Sequence, residues 1–172
     1  MFLKIIGCAA VLLSSTFTGY MLSRQCSKRP QDLRDLQSML YMLENEIGCL
    51  VNVLPDAFEK ISRCRKNSSV SVIFGQTSEF LREKGSCTAS QAWDRAVTEN
   101  IAGTALNEED KEILLSFGKM LGNSGLEGQI KNIRLTIKQL EVQEKKAEAV
   151  RLKNERMSRS LGVLGGLAIV LV

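Results

Sequence analysis

The feature that most constrains this chain is an uncharged run of 18 residues from Ile5 to Leu22, IIGCAAVLLSSTFTGYML. As a helix the run would cover about 27 Å, close to the roughly 30 Å hydrocarbon core of a bilayer. Only Lys4 provides a preceding charge, and no small-residue cleavage site follows, so the pattern favours an uncleaved membrane helix. Arg24, Lys28 and Arg29 follow the run, which predicts that the rest of the chain lies on the cytoplasmic side.

The alternative interpretation of this run is a signal peptide that is removed. In that case the protein would be a secreted or periplasmic helical binding module. Intact-mass measurement distinguishes the two interpretations, because cleavage would remove about 20 N-terminal residues, the usual length of such a peptide.

A second apolar segment ends the chain, Leu161 to Val172, with the sequence LGVLGGLAIVLV. A helix of this length covers only about 18 Å, which is too short to span a bilayer alone. Gly162 and Gly166 form a GxxxG pair, which can allow close helix packing in lipid. The preceding residues 141–159 favour a helix that is polar nearly all round, and they predict a solvated connection between body and membrane.

The net charge of +4 hides an uneven distribution. Residues 30–150 contain 15 Lys and Arg against 18 Asp and Glu, so the body carries a charge of −3. The basic excess lies beside the two apolar segments, where it suits an anionic lipid surface. A nucleic-acid-binding protein would instead carry its basic residues on the folded body, so nucleic acid is not an expected partner.

The residue types needed for common catalytic and metal sites are missing. The chain has 5 cysteines without a CxxC pair and no histidine, which argues against a disulfide framework and a zinc site. No nucleophile elbow or phosphate-binding loop occurs, so we expect no cofactor, no small-molecule substrate and no enzymatic activity.

The densest acidic cluster lies at a predicted helix start and consists of Glu108, Glu109, Asp110 and Glu112. One interpretation of these acids is a solvated helix N-terminus that complements the helix dipole. A second interpretation is a docking patch for a basic partner, which we take as the candidate partner-binding site. A third is a carboxylate enzyme, for which this cluster is the only signal.

The body between these ends is predicted to be helical. Its first helix follows Pro30 and carries an apolar stripe at steps of three and four: Leu33, Leu36, Leu40, Leu43, Ile47 and Leu50. Further helices are predicted from Ala57, Phe58 and Ile61, from Val70 to Leu81, and from Ala92 to Val97, with Thr88 or Ser90 as a cap. The only tryptophan, Trp93, is expected to anchor the core.

The last part of the body is predicted to contain two more helices. Asn107 is expected to cap a helix whose apolar face includes Ile113, Leu114, Phe117, Met120 and Leu121. After a glycine-bearing break, Leu126, Ile130, Ile133, Ile137 and Leu140 continue at helical spacing. The fold class is therefore all-α, a compact bundle of about six helices. We predict a membrane helix with its basic flank at 1–29, a cytoplasmic bundle at 30–140, and a helix running into a C-terminal apolar membrane segment at 141–172.

Several blocks of sequence resemble one protein family, and they occur in its order along the whole chain. The blocks are RPQDLRDLQ from Arg29, LENEI from Leu43, FGKMLG from Phe117, QIKNIRL from Gln129 and SLGVLGG from Ser160. On these blocks the chain is identified as resembling the stage III sporulation protein AB family. The blocks LPDAF from Leu54, SQAW from Ser90, and FGKMLG with Gly125 are also similar to the cytoplasmic domain of the type II secretion and type IV pilus platform protein.

This resemblance implies a function that composition and periodicity do not. It implies a platform in the channel between mother cell and forespore, in the mother-cell membrane around the forespore. The implied partners are a cytoplasmic secretion-type ATPase, other channel proteins in the membrane, and membrane lipid.

Overall fold

The architecture was described from a computed structural model, which covers residues 28–48, 54–83, 87–122 and 125–170, with side chains as far as residue 157. These ranges contain six α-helices, a single 3-10 turn at Ile101–Gly103, and no strand. The helices are α1 at 28–48, α2 at Leu54–Cys64, α3 at Ser71–Arg82, α4 at Ala89–Asn100, α5 at Glu108–Met120 and α6 at Leu126–Val170. The prediction of an all-α bundle is confirmed.

The predicted stripe of α1 forms one wall of the core. Leu33, Leu36, Leu40 and Leu43 are fully buried, and Ile47 is partly buried against them. Leu50, the last member of the predicted stripe, lies outside the described residues. The steps of three and four placed these side chains on one helix face, as expected for a helix that buries one side.

Four aromatic rings, one from each of α2 to α5, form the centre of the bundle. Trp93 lies 5.7 Å from Phe58, 5.3 Å from Phe74 and 5.1 Å from Phe117, measured between ring centroids. The indole Nε1 of Trp93 donates a hydrogen bond to the carbonyl of Leu114 at 2.7 Å, so the polar atom of the buried ring is satisfied. Trp93 is therefore confirmed as a core anchor.

Both predicted helix caps are present as capping boxes. The hydroxyl of Thr88 accepts from the backbone N–H of Gln91, whose side chain accepts in return from the N–H of Thr88. Asn107 and Asp110 form the same reciprocal pair at the start of α5. Each box satisfies two backbone donors that a helix start otherwise leaves without partners.

The first helix and the long last helix run antiparallel. Near the start of α1, Arg34 Nε donates to Glu144 at 2.6 Å, while near its end Glu44 accepts from Arg134 at 2.6 Å. From the first pair to the second, the residue number rises along α1 and falls along α6, so the two helices point in opposite directions. Lys28 and Val150 therefore lie at the same end of the bundle.

The structure corrects three expectations about apolar and polar faces. Met120 and Leu126, predicted as core residues, are 48% and 54% exposed because they flank the break between α5 and α6. Residues 141–159 were predicted to be solvated nearly all round, but Gln143 and Ala147 are buried. This part of α6 packs one face against α1. The helix α6 also runs without interruption across the predicted boundary between residues 140 and 141.

The membrane predictions rest mainly on residues without a described structure. Ile5 to Leu22 lies outside the described residues, and around Gly162 and Gly166 only the helical backbone is described. In the described part of the chain, none of the helices combines the length and apolar character needed to cross a bilayer.

Candidate partner-binding surface

The four acids at the start of α5 do not share one environment. The side chains of Glu108 and Glu109 are 83% and 62% exposed, and Glu112 is exposed as well. Asp110, in contrast, is completely buried. Only three of the predicted site residues can therefore meet a partner, and their partner binding stays a prediction.

Asp110 belongs to a polar junction that joins three helices, which we call the Arg29 cluster and which comprises Arg29, Asn107, Asp110 and Gln143. Arg29 of α1 binds both carboxylate oxygens of Asp110 in α5, at 2.8 and 3.0 Å. It also donates to the Gln143 side chain of α6 at 3.2 Å. Two parallel N–H to oxygen bonds from one guanidinium give a strong and directional pair, so this cluster fixes the relative positions of α1, α5 and α6.

A second buried acid connects α1 to two loops. The carboxylate of Asp32 accepts from the hydroxyl of Ser69 at 2.6 Å and from the backbone N–H of Ala105 at 2.8 Å. Asp32 is only 5% exposed. Sequence reasoning missed the role of Asp32, because nothing in its spacing distinguishes it from Asp35. The partners of Asp35 are Arg65 and Ser68, which lie in the first of these loops.

The exposed acids of α5 are partly engaged by neighbouring basic residues. Glu109 lies 3.5 Å from Lys146 of α6, and Glu108 lies 3.3 Å from Lys111 one turn away. A hydrogen bond from Gln143, and then the charge of Lys146, lower the pKa of Glu109. These neighbours therefore favour the ionised form of Glu109, the form that attracts a basic partner.

The described residues show no arrangement typical of a catalytic or metal site. No group of three His, Cys, Asp or Glu residues among them could hold a metal ion. The carboxylate oxygen Oδ1 of Asp94 is buried without a hydrogen-bond partner, and burial raises its pKa against the opposing charge of Lys119. This atom lies beside Gly118, at a close approach of α4 and α5. The expectation that the protein is not an enzyme remains a prediction.

One family model and two known proteins are similar to this chain. Residues 4–172 match the family described as stage III sporulation protein AB, a range that includes the run Ile5–Leu22. Stage III sporulation protein AB of Bacillus subtilis (strain 168) is 33% identical over 170 residues, covering 99% of this chain and 98% of that protein. A solved structure of stage III sporulation protein AB has a TM-score of 0.68 and 31% identity, covering 73% of this chain and 98% of the solved one.

Proposed function

Because the chain belongs to the stage III sporulation protein AB family, we propose that it is a non-enzymatic membrane platform of the channel between mother cell and forespore. In this proposal the helical body lies in the mother-cell cytoplasm, at the membrane that surrounds the forespore. It couples a cytoplasmic secretion-type ATPase to channel proteins in that membrane. Family membership itself assigns the protein a role in sporulation.

The observation that carries this proposal is the antiparallel pairing of α1 and α6. The pairing brings the residues that follow the first apolar run and those that lead to the second to one end of the bundle. Lys28 and Lys153, both exposed, belong to the two basic flanks that meet there. A body attached at one end and basic at that end suits a platform held against an anionic leaflet.

The topology can be tested by labelling cysteines, because Cys64 and Cys87 are both exposed free thiols. In intact protoplasts of non-sporulating cells that produce the protein in their outer cell membrane, we expect a membrane-impermeant maleimide to leave both unlabelled. It should label both after lysis. In a variant with Cys8, Cys26 and Cys49 replaced by Ser, any labelling comes from Cys64 and Cys87 of the folded body. Labelling of Cys64 or Cys87 before lysis would reverse the orientation and support the secreted alternative.

The ATPase coupling predicts a role for the exposed acids of α5. Reversing Glu109 and Glu112 to Lys is expected to weaken ATPase binding about tenfold or more, since charge reversal turns attraction to a basic partner into repulsion. Stability should change little, because exposed ion pairs such as Glu109 with Lys146 are screened by solvent. A binding titration beside circular dichroism measures the two effects separately.

The matched control reverses Glu79 and Glu83 to Lys, two exposed acids at the end of α3. This change alters the net charge by the same amount on another face of the bundle. If both variants bind the ATPase equally well, or lose binding equally, the α5 acids are not its docking site.

A further inference from the structure

The outward face of α6 carries a regular line of side chains that the platform proposal does not use. Six exposed residues follow one another at steps of four and three, on the side of the helix opposite the core: Lys131, Leu135, Lys138, Val142, Lys145 and Ala149. We call this line the α6 stripe. Basic and apolar residues alternate along it for about 27 Å, and each type recurs every seven residues.

Apolar and charged side chains of the stripe are both exposed to solvent. Leu135 and Val142 are 55% and 54% exposed, although both side chains are apolar. Lys131, Lys138 and Lys145 form no salt bridge with any described residue, whereas Arg134 and Lys146 beside the stripe pair with Glu44 and Glu109. Both the apolar and the charged positions of the stripe are thus available to a partner.

A shallow groove of about 470 Å³ follows the first two turns of the stripe. Its lining combines Ile130, Leu135, Lys131 and Lys138 with Arg134 and a single acid, Glu127. Such a groove can receive an apolar side chain while lysines at its edge meet carboxylates. A seven-residue repeat is also the spacing at which a second helix inserts its side chains.

From the stripe and its groove we propose that the outward face of α6 docks an acidic amphipathic helix of a partner protein. Apolar side chains of that helix pack between Leu135, Val142 and Ala149. Its Glu or Asp residues, repeated every seven positions, face Lys131, Lys138 and Lys145. Complementary charges at such positions set both the choice and the register of a helical partner.

The charges of this protein also argue against its own residues, or a second copy of it, as the partner that binds the α6 stripe. None of the residues outside the described ranges is Asp or Glu, so no undescribed part of the chain supplies the acids. A parallel α6–α6 pair between two copies would set lysine against lysine, and an antiparallel pair would crowd the lysines of both copies along one seam. Like charges so close together are destabilising. An acidic helix from another protein avoids this repulsion.

A lipid surface fits the stripe less well than a helix does. Helices that lie on membranes usually present a broad apolar face with large or aromatic side chains. The apolar line here is one residue wide, is interrupted by a lysine every seven residues, and contains no aromatic residue. Its regular alternation matches the side-chain spacing of a facing helix.

The test uses the full-length protein in a non-ionic detergent and a fluorescent four-heptad peptide with Leu at the first and Glu at the fourth heptad position. We expect saturable binding by fluorescence anisotropy, weakened about tenfold or more by Lys138→Glu/Lys145→Glu. The matched control is Lys60→Glu/Lys66→Glu, which makes the same charge change at exposed lysines elsewhere and should bind normally. Leu135→Ser/Val142→Ser, which leaves the charge unchanged, should also weaken binding.

Several outcomes would overturn the proposal. Absence of peptide binding, or equal loss in the two lysine variants, shows that the stripe is no helix-docking site. Normal binding by Leu135→Ser/Val142→Ser would mean that the peptide binds through charge attraction alone, without the apolar packing that the proposal requires. If the peptide does not bind but vesicles containing phosphatidylglycerol bind through Lys138 and Lys145, the surface recognises lipid. Self-association in sedimentation that Lys138→Glu/Lys145→Glu abolishes assigns the stripe to a second copy.

Discussion

Leu40→Asp is expected to unfold the helical body. Leu40 is fully buried in the middle of the α1 stripe, within the core that also holds Trp93. Burying an unpaired charge or polar group in an apolar core costs several kcal/mol. The whole free energy of unfolding of a domain is only about 5–15 kcal/mol, so this cost removes much or all of it. Urea unfolding followed by circular dichroism should show loss of the cooperative transition or a large shift of its midpoint.

The control for Leu40→Asp must put the same carboxylate on the same helix without burying it. Asn45→Asp does so, because Asn45 is exposed, and it should change the free energy of unfolding by less than about 0.5 kcal/mol. Gln37 is less suitable, since it is half-buried and donates to Glu144 at 3.0 Å. Similar midpoints for Leu40→Asp and Asn45→Asp would show that the α1 stripe does not face the core.

Asp110→Ala is expected to be the most damaging change in the Arg29 cluster. It leaves Arg29, whose side chain is only 18% exposed, without the carboxylate that balances its charge. Breaking a buried ion pair by removing one partner costs about 3–5 kcal/mol. The same substitution removes the acceptor for the backbone N–H of Asn107, which weakens the cap of α5. Thermal and urea unfolding of purified protein measure the loss.

Two further variants separate the buried charge from other causes. Arg29→Met/Asp110→Ala removes both charges, so it should be less destabilised than Asp110→Ala alone, since replacing a whole buried pair by apolar groups is often nearly neutral. Glu108→Ala, two positions away and exposed, should change stability by less than about 0.5 kcal/mol. Equal losses for Asp110→Ala and Glu108→Ala would mean that the Arg29 cluster does not hold the helices together.

The contrast between Leu40 and Asp110 shows how far the sequence predicts this fold. Leu40 was identified because its neighbours at three and four positions are also apolar, and this local period is visible in the sequence. The caps were equally local: the structure confirms Asn107, and of the two candidates Thr88 and Ser90 it shows Thr88 as the cap of α4. The partner of Asp110, in contrast, lies 81 positions away, and no period connects the two residues. A long-range ion pair therefore turned one member of an apparent surface cluster into a buried residue.

The face of α6 that packs against α1 was missed for a different reason. Gln143 and Ala147 continue the spacing of Ile133, Ile137 and Leu140. Because one is polar and the other small, the pattern of large apolar residues ends at Leu140. The Gln143 amide is buried because Arg29 donates to it. Continuing the pattern of three and four positions through small and amide side chains would have predicted that this face of α6 is buried as far as Ala147.

The antiparallel pairing of α1 and α6 also has a consequence for the time at which the protein can fold. Arg34 and Glu144 are 110 positions apart, so α1 is complete on the ribosome long before its partner helix exists. At roughly 5–20 residues per second, synthesis of the intervening chain takes about 5–20 s. During this interval α2 to α5 can pair with their sequence neighbours, whereas Leu33, Leu36 and Leu40 lack the part of their final covering that α6 provides. Docking of α6 is therefore the step that closes the core, and it comes last in synthesis.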